Sequence, residues 1–185
     1  MLEIRQLFVR YGSKEVLGDL NLQWEAGQIH GFIGLNGSGK TIFFKALYQM
    51  IPYEGQVFWQ GVPLQRKDMA WLETHNYFYH YITGAEYLQL LAPNDKPVLD
   101  LTPWTQLLDL PLDQLVDGYS TGMKKKIALL GLLQQRKPLL LLDEPFNGVD
   151  MESCRLFEML FQGLKQKGYT LIITSHILDT LINTC

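Results

Sequence analysis

The sequence predicts an α/β fold with a mainly parallel sheet, an antiparallel β subdomain at the N-terminus and an inserted helical subdomain. Three observations predict it. Leu139-Leu140-Leu141-Leu142 and Thr170-Leu171-Ile172-Ile173-Thr174 are continuous apolar runs, the pattern of parallel strands buried on both faces. Ile29 to Ile33 is a short apolar strand that runs straight into the glycine cluster Gly34 to Gly39, followed by a Pro- and Gly-free helical segment, Thr41 to Met50. From about Ala85 to Leu115, helical pieces are broken by Pro93, Pro97, Pro103 and Pro111, which reads as a small helical subdomain rather than more sheet.

Taken in order, Leu2 to Val9 alternate as a strand, Tyr11-Gly12-Ser13 turns, and Leu20 to Trp24 alternate again. Ala26-Gly27 turns the chain into the strand before the glycine cluster. Ile51-Pro52-Tyr53-Glu54-Gly55 stops the following helix, and Gln56 to Gln60 reads as a strand ended by Gly61. Beyond the proline-broken stretch, Lys124 to Gln134 and Glu152 to Lys167 are helical, and each precedes an apolar run. No internal repeat is visible. Residues 1–185 are expected to form a single domain, with the helical insertion at about 85–135.

Composition narrows the function classes. With 47% hydrophobic and 19% charged residues the chain is an ordinary globular protein, long enough to bury a core without disulfides. Cys154 and Cys185 read as idle thiols in a reducing compartment, so a cytoplasmic location is expected. A net charge of −3 gives no electrostatic reason for nucleic-acid binding. No apolar stretch approaches the ~20 residues that span a bilayer, so any membrane role is expected to come through a partner.

The strongest local signal is Gly34-Leu35-Asn36-Gly37-Ser38-Gly39-Lys40-Thr41, a full match to G-x-x-x-x-G-K-[ST] between a strand and a helix, the mark of a P-loop NTPase core. Its glycines let backbone N–H groups turn inward onto phosphate oxygens, and the helix N-terminus adds its positive dipole end. Asn36, Gly37, Ser38 and Gly39 are thus candidate nucleotide-binding residues. Lys40 is expected to reach the β and γ phosphates, and the Thr41 hydroxyl to ligate Mg²⁺. Much later, the four leucines end in Asp143-Glu144-Pro145, two carboxylates at the C-terminal edge of a buried strand, where parallel sheets bind ligands. Asp143 is the second candidate Mg²⁺ residue, and Glu144 the group that polarises an attacking water.

Between these elements, Asp117-Gly118-Tyr119-Ser120-Thr121-Gly122-Met123-Lys124-Lys125-Lys126 resembles the signature motif of the ATP-binding cassette (ABC) family, in a Tyr-Ser-x-Gly-Met-Lys form. Phe146-Asn147-Gly148-Val149-Asp150 is similar to that family's D-loop, and Ser175-His176 closes the set in the family's order. The resemblance covers nearly the whole chain. It implies an ATP-hydrolysing subunit that uses ATP and Mg²⁺ and drives a transmembrane permease subunit from the inner face of the cell membrane. It also implies pairing with a second ABC ATPase, as homodimer or heterodimer, with no nucleic acid partner. The signature form leans toward exporter-like systems. A soluble cassette ATPase acting on ribosomes or DNA is the alternative.

By position, Tyr11 matches the aromatic that stacks on adenine, Ser120 and Gly122 the surface that grips the γ-phosphate held by the opposite subunit, and His176 the switch histidine. Lys124 to Lys126 then read as a solvated, field-shaping cluster at the start of a helix. Thr121 and Met123 depart from the consensus. The family's Q-loop glutamine is also missing, and either Glu73, Thr74 or His75 takes over its contacts or the role is lost. The aromatics Trp71, Tyr77, Phe78, Tyr79 and Tyr81 crowd the same region, with an exposed share expected to frame a socket for a permease helix. After His176, Ile177 to Asn183 begins a further helix and Cys185 ends the chain, so the C-terminal part of the family's domain is expected to be missing.

Overall fold

A computed structural model describes residues 1–95 and 97–176. The expectations for Ile177 to Asn183 and for Cys185 fall outside the described residues.

The first strands obey their alternation with one correction of phase. β1 (Leu2–Tyr11) buries Leu2 and Ile4, then Leu7 and Val9, so the inward parity changes between Ile4 and Leu7. A bulge at Gln6, φ 50, makes the change; one extra residue on one strand switches which side chains face inward. The Gln6 N–H leaves the ladder and donates to Asn21 Oδ1 at 2.8 Å. β2 (Lys14–Trp24) and β4 (Glu54–Trp59) pair antiparallel with β1, and the two-residue β5 (Val62–Pro63) pairs with β4, giving the order β2-β1-β4-β5. Gly55 lies against the bulge, where an added Cβ would stand 2.2 Å from Gln6 O. Only glycine fits there.

The second sheet is parallel throughout. β3 (Ile29–Ile33), β6 (Met69–Leu72), β7 (Leu139–Asp143) and β8 (Thr170–Ser175) lie in the order β3-β8-β7-β6. β6 has no counterpart among the expected strands, because four residues between a charged turn and a loop are too short to show a period. Every residue of β7 and β8 is buried, as their apolar runs require. Alternation then divides the sheet between two cores. Leu139, Leu141 and Ile172 face the N-terminal sheet and α1 (Lys40–Leu47), while Leu140, Leu142, Leu171 and Ile173 face the helices α4 (Thr121–Gln134) and α5 (Met151–Gln166). α1 buries Phe43, Phe44 and Leu47, and α5 buries Phe157, Leu160, Phe161 and Leu164, each at helical spacing.

The proline-broken region is helical, as expected, in short pieces: α2 (Gly84–Leu90), α3 (Thr102–Leu107) and a 3-10 turn at Val116–Gly118 before α4. Thr83 and Glu86 form a reciprocal capping box that starts α2, and Pro103 sits in the first turn of α3. α2 packs on α4 at Gly131, where a side chain would strike Leu91 and Tyr87. This subdomain therefore hangs on α4, the helix that follows the signature residues.

Leu141 is completely buried at the centre of the parallel sheet. Leu141→Ala is expected to lower unfolding stability by about 2–5 kcal/mol, read from urea denaturation; a loss well below 1 kcal/mol would contradict this packing.

Candidate active site

The site forms where β3, β7 and β8 end together. The backbone leaving β3 is tied to β8 by the Gly34 N–H, which donates to Ser175 O at 3.3 Å, and the following loop turns into α1 through Gly37 and Gly39, both at positive φ. A cleft of about 300 Å³ opens there, lined by Asn36, Gly37, Gly39, Lys40, Thr41, Thr74, Glu144, Asn147 and His176, with Val16 and Ile42 as apolar wall. Residues spread over 160 positions of sequence thus meet in one place.

At its floor lies Asp143, fully buried. Its Oδ2 accepts from Thr41 Oγ1 at 2.7 Å and from Thr74 Oγ1 at 2.8 Å; its Oδ1 accepts from Thr174 Oγ1 at 2.6 Å. Buried carboxylates need such donors, because an unpaired charge away from water is strongly disfavoured. Thr174 also accepts from the Glu144 backbone N–H at 3.0 Å, so a single hydroxyl links both acids. Glu144 itself has φ 49, a sparsely populated region for a non-glycine residue, and this turn aims its side chain into the cleft.

Glu144 is held between two bases. Its Oε1 lies 3.3 Å from Lys40 Nζ and its Oε2 2.9 Å from His176 Nδ1. A carboxylate only accepts, so Nδ1 of His176 carries the proton in this pair. Lys40 Nζ also donates to Gly34 O at 2.6 Å and Leu35 O at 3.3 Å, so its ammonium sits within the curl of the loop. Glu144 Oε1 is buried and accepts no hydrogen bond.

Of the sequence candidates, Asn36, Gly37, Gly39, Lys40, Thr41, Glu144 and His176 line the cleft and Asp143 lies directly beneath it. Ser38, in the same loop, does not line it. Tyr11 ends β1 half-exposed and outside the lining. Ser120 and Gly122 are also elsewhere. Ser120 caps α4, accepting from the Met123 N–H at 3.2 Å, and Gly122 packs close to Gly148 O. Among the three residues that could replace the missing glutamine, Thr74 turns to the site and bonds Asp143.

One expectation is overturned. The lysine run is not a solvated cluster: Lys125 is buried and donates to the backbone oxygens of Thr74, at 3.0 Å, and Glu73, at 3.4 Å. Lys126 pairs with Asp150 at 3.2 Å. Asp150 caps α5, and the Ser153 N–H and hydroxyl, then Lys126, hold its carboxyl well below the usual carboxylate range. Successive helical residues point about 100° apart, so three lysines could not share one wet face. Thr174 was the other residue missed. It reads as an ordinary strand threonine, and only its pairing opposite Asp143 reveals its part.

The donor set suits a nucleotide with its cation. Hydroxyl and carboxylate oxygens at Thr41, Thr74 and Asp143 match Mg²⁺, which takes few protein ligands and completes its shell with phosphate and water. No group of three or more His, Cys, Asp or Glu side chains forms a metal cage among the described residues.

The ABC transporter family model matches residues 17–147. The chain belongs to this family. Among curated relatives, it is 29% identical to the ABC transporter ATP-binding protein YtrB of Bacillus subtilis over 100% of this chain and 66% of YtrB. It is 31% identical to the cytochrome c biogenesis ATP-binding export protein CcmA of Pasteurella multocida, over 95% of this chain and 88% of CcmA. A solved ATP-binding subunit of an ABC transporter superposes with TM-score 0.91 at 26% identity, covering 100% of this chain and 82% of the other. The ABC chain therefore has the nucleotide-binding-subunit fold, and it spans just under two thirds of YtrB.

Thr174→Val keeps the shape and removes the hydroxyl shared by the two acids. The loss of a donor to a buried carboxylate is expected to cost about 1–3 kcal/mol in urea unfolding; wild-type stability would show that Thr174 does not hold Asp143.

Proposed function

We propose that the chain binds and hydrolyses Mg·ATP as the ATPase subunit of a transporter, and that its site is completed by a second cassette subunit. The observation that carries this reading is the convergence of Lys40, Thr41, Asp143, Glu144 and His176 on one cleft. Loop N–H groups and the α1 N-terminus favour phosphate at its mouth. Lys40, whose ammonium sits inside the loop, would reach the β and γ phosphates; Thr41, Thr74 and Asp143 would hold Mg²⁺, which would supply positive charge to the phosphate oxygens.

Glu144 lines the cleft, and its buried Oε1 accepts no hydrogen bond and has only the Lys40 ammonium beside it; once phosphate draws that ammonium away, this oxygen is left to take a hydrogen bond from the attacking water and polarise it. His176, on the other oxygen, fixes the carboxylate's direction. Tyr11 stacks on the base by its exposed ring. Ser120 and Gly122 stand outside this cleft, which supports the reading that they serve the nucleotide of the opposite subunit, so that closure of two copies completes each site.

The relatives' names support the transporter role over a soluble ribosome- or DNA-directed one, and CcmA, named as an export protein, favours export. No helix among the described residues is long and apolar enough to cross a membrane. The membrane connection is therefore proposed to run through a permease subunit at the inner face of the cell membrane. Tyr77, Tyr79 and Tyr81 are 76%, 58% and 85% exposed on the loop that follows Thr74. Rings this exposed suit a protein-docking surface.

Glu144→Gln is expected to bind ATP as the wild type does, to accumulate as a dimer with ATP in size-exclusion chromatography, and to release phosphate about 10²–10⁴-fold more slowly. Turnover at the wild-type rate would refute the role given to Glu144. Replacing both Tyr77 and Tyr79 with serine is expected to reduce co-purification with the permease while ATP binding persists; undiminished co-purification would place the docking surface elsewhere.

A further inference from the structure

Lysine is almost never buried without a partner, yet Lys125 is 5% exposed on the first turns of α4. Its neighbours explain nothing about it. Lys124 reaches out to Asp117 O at 3.5 Å, and Lys126 serves Asp150. Lys125 points inward and meets no carboxylate. It meets two consecutive backbone oxygens, Glu73 O and Thr74 O, at 3.4 and 3.0 Å. Burial pushes its pKa down, and the nearby charges of Asp143 and Glu144 oppose that shift.

One of these carbonyls belongs to Thr74, whose side chain works on the other side, and the other to the residue just before it. Thr74 Oγ1 donates to Asp143 Oδ2 at 2.8 Å, and Asp143 Oδ2 also takes the Thr41 hydroxyl. A threonine side chain is two bonds shorter than a glutamine's, so it reaches Asp143 only if its backbone is brought close and kept there. An amine gripping two successive carbonyls does that, because it fixes both the position and the rotation of the peptide between them.

We propose that Lys125 is a positioning residue of the cation site: it clamps the Glu73–Thr74 backbone so that Thr74 engages Asp143, and so ties α4 to the site. This rests on the Mg·ATP reading above. The tie joins two things a transporter ATPase must keep in step. α4 begins at Ser120 and Gly122 and carries the helical subdomain, while the held loop leads into the exposed tyrosines. A turn of the subdomain would move Thr74 relative to Asp143, through one hydrogen-bonded path rather than through the core.

The test is equilibrium ATP binding by the purified chain, titrated in EDTA and across Mg²⁺ concentrations, for wild type, Lys125→Met, Lys125→Arg, Thr74→Val and the Lys125→Met/Thr74→Val double variant. Lys125→Met and Thr74→Val are each expected to raise the Mg²⁺ concentration needed for half of the cation-dependent gain by about 10–100-fold, with affinity in EDTA unchanged. The double variant should be no worse than either single one, and Lys125→Arg should restore the wild-type response. Wild-type Mg²⁺ dependence in Lys125→Met, or fold-changes that multiply in the double variant, would overturn the proposal. Should Lys125→Met fail to fold, Lys125→Arg and Thr74→Val decide: a normal response in the first with a loss in the second supports it, and any other pair of results overturns it. A wild type whose ATP affinity does not respond to Mg²⁺ would instead refute the function itself.

Discussion

Asp143 is the constraint around which the molecule is organised. A carboxylate with no exposed surface persists only where hydrogen bonds replace its water, and its three donors come from three separate segments: Thr41 on α1, Thr74 after β6, and Thr174 on β8. Each donor is delivered by a strand end or a helix start in the parallel sheet. If β6 or β8 slipped by one residue against β7, its threonine would turn to the other face. The three bonds therefore work as a register check, and the sheet order β3-β8-β7-β6 brings these segments around one side chain.

From Asp143 the charges propagate outward in a definite order. Thr174 carries the backbone of Glu144; Glu144 lies between Lys40 and His176; Lys40 is held in turn by the loop carbonyls. Phosphate oxygens entering the cleft would compete with Glu144 and those carbonyls for the same ammonium. Such a competition ties the freedom of the Glu144 carboxylate to occupancy of the site, with no moving part larger than a lysine side chain.

What was legible in the sequence follows how local each feature is. The loop Gly34 to Thr41 is contiguous, and its curled shape is a property of its own backbone, so eight residues suffice to recognise it. Asp143 and Glu144 were legible because a fully apolar strand cannot end in two acids without a use for them. The apolar runs of β7 and β8 were equally plain, since both their faces are covered. Thr174 was not, because its role depends on standing opposite Asp143 across a ladder that joins chain segments 31 residues apart. β6 was missed for its length. The lysine run was misread although the signal was present: at about 100° per residue, three adjacent side chains on a helix must point three ways, and a helix packed on α2 and β6 leaves one of them inside.

The short side chain at Thr74 follows the same physical logic. A side chain as short as that of Thr74 meets Asp143 only where the backbone brings it close, and the backbone then needs its own support. Lys125 offers that support only because α4 is already anchored by packing at Gly131 and by the apolar core beneath it. On a mobile helix those two carbonyl bonds would have to offset the ordering of the helix backbone as well as that of the lysine side chain. The short threonine, the buried lysine and the tight α2–α4 contact thus form one dependent series, in which the outer members are useful only while the inner ones hold.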